Sequence, residues 1–446
     1  MVRLNFMIKC KHSILKIYST AFTINNVPLH LLFICMKKFD VPIIYRSPLI
    51  AAIKNKRKVL DKMKKDFSPT LLDYGPLKIY LARHFGFCYG VENAIEIAFR
   101  TIEENPGKRI FLLSEMIHNP QVNADLLAKG VRFLQDTYGK QVIPFETLTS
   151  NDIVIIPAFG TTLDIEKKLT GIGIETYKYN TTCPFVEKVW NRSEQIAKKN
   201  YTVIVHGKPT HEETRATFSH ASANTPTIIV NDIQDAMLLG KYISGEKDSI
   251  LFDEDFKGKF SGGFDVNEDL QRIGVVNQTT MLASDTQEIS DYLKQVMAAT
   301  YGLDETNIEE RFADTRDTLC YATNDNQSAV YGLLEKQADM AIVVGGYNSS
   351  NTTHLVELCE AKLPTYFINS EEKILPDGSI LHYHIHSKEE LLTGNFLSDN
   401  EPVTILMTSG ASCPDALVEG IINKLKTIFK VDKPAEEIMK ELDLYQ

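Results

Sequence analysis

The chain has 446 residues, 43% of them apolar and 24% charged, with a formal net charge of −10. These values suit a folded protein of two to four domains, and no run of about 18 apolar residues is present to cross a bilayer. The charge is uneven: residues 1–75 hold 14 Lys/Arg against 4 Asp/Glu, so residues 76–446 carry −20. An acidic body argues against a nucleic-acid surface, which needs a basic stripe, and fits a soluble enzyme that holds a small anion at one local site.

Residues 1–39 contain no Asp or Glu and six Lys/Arg. A transit peptide would be richer in Ser and Arg, and a secretory signal would carry a small-residue cleavage site after the apolar stretch 29–35. The favoured expectation is a true start at Met36, in MKKFDVPIIYRSPLI, and a cytoplasmic enzyme; a plastid location would follow if 1–35 were a transit peptide. Residues 51–66 predict a basic helix with a solvated face, and 1–75 as a whole a basic extension.

From residue 77 a pattern repeats, in which a short apolar strand ends in small or polar residues and a helical stretch follows. LKIYLA (77–82) leads to RHFGFCYG, RIFLL to SEMIHNP, and IVII (153–156) to PAFGTT. TVIV (202–205) leads to HGKPTHEET, IGVV (273–276) to NQTT, MAIVV (340–344) to GGYNSSNTTH, and VTILM (403–407) to TSGASCPD. Alternating strands and helices predict an α/β fold with parallel sheets, whose ligands collect at the carboxyl ends of strands. The expected units are 76–176, 177–312 and 313–433, with a charged tail at 434–446. Residues 245–269, with eight acids and four glycines, read as a surface insertion in the second unit.

Seven cysteines, an odd number in a long chain, favour thiols that are free or bind metal, and no CxxC pair suggests a zinc ribbon. Cys88, Cys183 and Cys320 each stand at a junction into a helix, one per expected unit. Iron–sulfur clusters are held by thiolates, usually four; three would leave one iron open to a substrate oxygen. Gaps of 95 and 137 residues match no local motif, so spacing alone does not separate ligands from small buried apolar residues. Cys10, Cys35 and Cys359 keep the latter reading, and Cys413 that of a small neighbour of the site.

The loops GGYNSSN (345–351) and TSGAS (408–412) offer Ser349, Ser350, Asn351, Ser412 and helix N–H groups to a phosphate. Each alone could be a plain turn. His118 and His211 lie at similar strand ends, and two imidazoles beside such loops suit a diphosphate. HEET lacks the second His of a zinc protease. Its Glu213, near Thr279 and Thr280 of NQTT, could be a general acid with a raised pKa, or a carboxylate serving its own helix dipole.

Taken together, GFCYGV, IHNP, TTCP, HEET, NQTT, CYATNDNQ, NSSN and SGAS, in this order across residues 77–430, resemble the 4-hydroxy-3-methylbut-2-enyl diphosphate reductase family. The resemblance implies three similar α/β domains with mainly parallel sheets around a pseudo-threefold axis and a central 4Fe-4S cluster on Cys88, Cys183 and Cys320, one iron open. It implies diphosphate contacts from His118, His211, Ser349, Asn351 and Ser412 with Ser350 adjacent, proton delivery by Glu213, Thr279 near the substrate alcohol, and Thr280 beside it. The implied reaction is reductive dehydroxylation to isopentenyl and dimethylallyl diphosphate, the last step of the methylerythritol phosphate route, with electrons from ferredoxin or flavodoxin. One departure marks the subgroup shared with plants and cyanobacteria. Where many bacterial members carry a further His, this chain has Phe159, so the site either loses an imidazole or takes Thr161 or Thr162 instead. Two rivals remain at this level: a quinolinate-synthase-like dehydratase, which needs no reductant, and a non-catalytic iron–sulfur sensor.

Overall fold

The computed structural model describes residues 39–63, 65–313, 318–397, 402–434, 437–438 and 440. The start at Met36, Cys10, Cys35 and most of the tail lie outside them. The strands are β1 (Thr70–Asp73), β2 (Leu77–Leu81), β3 (Ile110–Leu112), β4 (Arg132–Phe133), β5 (Ile153–Ile155), β6 (Thr202–His206), β7 (Thr227–Val230), β8 (Ile273–Asn277), β9 (Phe312–Ala313), β10 (Met340–Val344), β11 (Thr365–Ile368), β12 (Ile380–His384), β13 (Glu389–Thr393) and β14 (Val403–Ser409). The helices are α1 (Pro48–Leu60), α2 (Tyr89–Glu104), α3 (Pro120–Ala128), α4 (Leu163–Ile172), α5 (Pro184–Ala197), α6 (Glu212–Ser222), α7 (Ile233–Ile243), α8 (Phe252–Asp255), α9 (Val266–Asp269), α10 (Ala283–Tyr301), α11 (Tyr321–Leu333), α12 (Ser350–Glu360) and α13 (Asp415–Ile428).

Among the described residues three sheets carry the fold, in the orders β4-β3-β5, β7-β6-β8-β9 and β1-β2-β14-β10-β11; β12 and β13 form a separate hairpin. Every pairing in the three sheets is parallel except β1 with β2. The cause is visible in the strands: β6, β8 and β10 are buried at every position, as strands covered by helices on both faces must be. All seven strands expected from the sequence form, and the fold is the expected α/β class with mainly parallel sheets.

Three placements differ from expectation. First, β2 does not belong with β3 and β5: it pairs with β14, Leu77 opposite Val403 through Leu81 opposite Met407. Leu77, Ile79 and Leu81 enter the third core. An apolar run shows that a strand forms but not which sheet receives it, and α2 carries the chain from the third sheet into the first.

Second, the part of the basic extension within the described residues is integral. Phe39, Val41 and Tyr45 join the core of the first sheet, and the Tyr45 hydroxyl donates to Asp125 at 2.7 Å. α1 is capped by Ser47, whose Oγ accepts from Ile50 N–H at 2.9 Å, with Pro48 at the first helical position. Its Leu49, Ile50 and Ile53 fill the core of the third sheet.

Third, the acidic insertion is anchored. Phe252 and Phe256 are buried in the second core, with Phe260 and Phe264 packed on it, and Phe252 stacks on Phe264 at 5.4 Å. Phe260 bridges Ile228 of edge strand β7. The acids stay at the surface while the phenylalanines fix the segment.

Candidate active site

The three cysteines share one local design: Cys88, Cys183 and Cys320 are the N-cap residues of α2, α5 and α11. An N-cap side chain faces unpaired N–H groups and the positive end of the helix dipole, which favours a thiolate. Cys320 Sγ accepts from Thr323 N–H at 3.3 Å. Burial acts the other way, pushing the thiols of Cys183 and Cys320 up to about 12, with the negative charge of Cys88 adding to both. Three thiolates lining one cavity would need compensating positive charge, of the kind a bound metal supplies.

All three cysteines line one cavity with His118, Phe159, His211, Glu213, Thr279, Thr280, Ser349, Ser350, Asn351 and Ser412. The carboxyl ends of all three sheets feed it: β2, β10 and β14 of the third, β3 and β5 of the first, β6 and β8 of the second. The three cysteines, both histidines, Glu213, Thr279, Thr280, Ser349, Ser350, Asn351 and Ser412 are therefore brought together. Cys359 and Cys413 are wholly buried in the third core and act as packing residues.

The donor set fits a cluster and an anion. Among the described residues, the group of potential metal ligands whose atoms lie within 4.8 Å of one another is His118, His211 and Glu212. The cysteine sulfurs are spread more widely, as the corners of a polynuclear cluster require and a single zinc ion does not. The histidine group suits an anion better than a cation. His211 Nδ1 accepts the Glu213 N–H at 3.2 Å, and burial holds the ring neutral, well below the usual histidine range. The proton therefore sits on Nε2, which is buried without a partner, as are Ser350 Oγ and Asn351 Nδ2. Asn351 is oriented by its Oδ1, which accepts from Ala411 N–H at 2.9 Å, leaving its amide N–H groups for a ligand. Ser349 caps α12, accepting from Thr352 N–H at 3.3 Å. Orphaned buried donors at the N-termini of α6 and α12 make an anion site.

Two predicted contacts are engaged within the protein. Ser412 Oγ donates to the His118 carbonyl at 3.1 Å, tying the β14 loop to the β3 loop. His118 Nε2 lies 2.9 Å from Glu212 Oε2. Glu212 was not singled out from the sequence, because its partner is 94 residues away; the tandem acids of HEET were the only signal. Phe159 stands where the sequence lacks the further imidazole, stacking on His118 with centroids 4.3 Å apart and meeting His211 in a T-shaped pair at 5.6 Å. Neither Thr161 nor Thr162 is among the described residues lining the cavity.

Glu213 is buried in the lining of the cavity, and Thr279 N–H donates to its Oε1 at 2.5 Å. Burial outweighs the Thr279 bonds and pushes its carboxyl up to about 7, so near neutrality it holds a proton that it can release. Thr280 Oγ1 accepts from Gln278 Nε2 at 2.6 Å, and Gln278 Oε1 accepts from Thr214 at 2.9 Å. This network fixes the NQTT loop against α6.

A family model described as LytB protein matches residues 79–426. The 4-hydroxy-3-methylbut-2-enyl diphosphate reductase of a Synechococcus species is 41% identical over 355 residues, covering 79% of this chain and 86% of the relative. That of Microcystis aeruginosa is 38% identical over 382 residues, covering 83% and 92%. Among solved structures, the E-1-hydroxy-2-methyl-but-2-enyl-4-diphosphate reductase from Plasmodium falciparum aligns with a TM-score of 0.56 at 23% identity, covering 78% of this chain and 87% of that one. That match is a likeness of fold. The cyanobacterial relatives agree with the subgroup expected from Phe159, and the chain belongs to the LytB protein family.

Proposed function

We propose that this chain reduces (E)-4-hydroxy-3-methylbut-2-enyl diphosphate to isopentenyl and dimethylallyl diphosphate, with release of water. The overall balance is one allylic alcohol, two electrons and two protons to one alkene and one water. The observation that carries the reading is the convergence of three N-cap cysteines with orphaned anion donors and a proton-holding carboxyl in one cavity. Cys88, Cys183 and Cys320 would hold a 4Fe-4S cluster, which when bound supplies single electrons and an open iron as Lewis acid for the substrate's oxygen.

The protein's own residues supply the rest. His211 Nε2–H, Asn351 Nδ2, the hydroxyls of Ser349 and Ser350, and the first turn of α12 hold the diphosphate. Glu212 fixes His118 against that end, and Phe159 closes it from water by its stack. Glu213 delivers a proton to the departing hydroxyl, and Thr279 holds the carboxyl in position from its backbone N–H. The electron donor is a one-electron carrier of the ferredoxin or flavodoxin kind. Among the described residues no helix is long and apolar enough to cross a membrane.

The test is anaerobic turnover of the reconstituted enzyme with reduced methyl viologen, scored by the two alkenyl diphosphates. Glu213→Gln should keep its iron and bind substrate while losing about 100-fold or more in kcat, the usual worth of a general acid. Undiminished turnover in that variant removes Glu213 from the role, and turnover without any reductant returns the dehydratase reading.

A further inference from the structure

The three helices capped by Cys88, Cys183 and Cys320 begin alike, with one difference. The third residue is Val91 in α2, Val186 in α5 and Thr323 in α11. All three are buried, and all three line the cavity. An N-cap side chain faces the N–H of the third helical residue, which brings that residue close to the sulfur. Thr323 has the outline of valine, with a hydroxyl in place of one methyl, at a position with no exposed surface. A buried hydroxyl is costly unless it is hydrogen-bonded, so its presence where the two counterparts are valine asks what it bonds.

The partner is the sulfur. Thr323 Oγ1 lies 3.0 Å from Cys320 Sγ, and the Thr323 N–H donates to the same sulfur at 3.3 Å. Elsewhere in this chain helical threonines turn back to the carbonyl four residues before them, as Thr101, Thr353 and Thr427 do. Thr323 does not, and among the described residues its hydroxyl has no other partner. A β-branched side chain holds few rotamers in a helix, so the choice is a fixed one. The Cys88 and Cys183 sulfurs face backbone N–H groups, those of Gly90 and Val91 in one case and Phe185 in the other. The valine at the third position has no donor to add.

We infer that the Thr323 hydroxyl donates to the Cys320 sulfur and raises the reduction potential of the cluster that the three cysteines would hold. The inference rests on the reductase reading above and adds to it a positioning residue that acts through a ligand. Between a thiol and a hydroxyl either group could donate, but a metal-bound thiolate has no proton, so the hydroxyl must. A hydrogen bond to the sulfur stabilises the more negative, reduced form and so makes reduction easier. The redox step itself is simple: a one-electron carrier loses one electron, the cluster gains it, and the Thr323 proton stays on its oxygen.

Thr323→Val makes the three positions alike. The test is a dye-mediated titration with dithionite of the anaerobically reconstituted chain without substrate, followed by the electron paramagnetic resonance of the reduced cluster. The variant should hold the parent's iron and sulfide, and its one-electron reduction equilibrium should be about tenfold less favourable, about 59 mV in midpoint potential. Thr323→Ser, which keeps the hydroxyl, should stay within about twofold of the parent, about 18 mV. A loaded Thr323→Val within that same margin of about twofold overturns the inference. So does a substrate KM raised about tenfold at the parental potential, which would make Thr323 a substrate contact. Loss of iron and sulfide from both Thr323→Val and Thr323→Ala overturns it too, because the hydroxyl would then serve assembly and not potential. A parent chain that takes up no cluster removes the reductase reading itself, and the inference with it.

Discussion

Replacing Gly90 with alanine separates cluster binding from folding. Gly90 is the second residue of α2, and a Cβ there would stand 2.6 Å from Cys183 Sγ and 3.2 Å from Cys183 Cβ. Ordinary contact begins at 3.4 Å, so the sulfur must retreat by about 0.8 Å, roughly four times the ~0.2 Å tolerance of a metal–ligand bond. The α2 backbone cannot move away cheaply, because Val91, Ala94 and Ile95 are packed in the first core. The helix itself prefers alanine over glycine by up to about 1 kcal/mol. Gly90→Ala should therefore melt at or slightly above the parent's temperature as the metal-free chain, yet bind well under half the parent's iron and sulfide after anaerobic reconstitution. A variant with full iron, full sulfide and parental turnover would refute the claim that this glycine makes room for the Cys183 sulfur.

Asn351→Ala removes an oriented amide donor to a charged ligand, worth about 1.5–3 kcal/mol; substrate KM should rise about 10- to 100-fold with iron content unchanged, as steady-state kinetics on loaded enzyme will report. Burial pushes the Glu213 carboxyl up to about 7, so kcat should fall about tenfold per unit above that pH, and the limb should vanish in Glu213→Gln. The same carboxyl bears on stability. Its pKa is raised from 4.5 to about 7 on folding, so the folded state binds the proton more tightly than the unfolded one. The favourable contribution is complete below 4.5 and is lost as pH climbs through about 7, in total roughly 3 kcal/mol. Thermal melts of the metal-free chain should show that slope, and Glu213→Gln should lack it. Ile50→Ala, at a fully buried position of α1, should cost about 2–5 kcal/mol in denaturant unfolding; a cost near zero would return α1 to the status of an appendage.

The strands were legible because burial on both faces leaves an unbroken apolar run, as in β6 and β10. The convergence of the candidate site residues on one cavity was legible because parallel sheets gather ligand-facing loops at their carboxyl ends, and each motif followed such a run. Sheet membership was not: nothing in LKIYLA states that it pairs with a strand more than 300 residues later. α1 was misjudged because its lysines dominate its composition, although Leu49, Ile50 and Ile53 share one face at helical spacing. In the insertion, Phe252, Phe256, Phe260 and Phe264 recur every fourth residue, an apolar signal that eight acids outweighed by number. The His118–Glu212 pair and the Phe159 stack depend on the meeting of separate loops, which local sequence does not encode.

The most direct measurement is the Mössbauer spectrum of the anaerobically reconstituted enzyme before and after substrate is added, with iron and sulfide counted on the same sample. The account predicts four irons and four sulfides per chain, with one iron in four distinct from the rest and changing its signal when the substrate's hydroxyl binds. One iron per chain, or four irons that ignore the substrate, would contradict it.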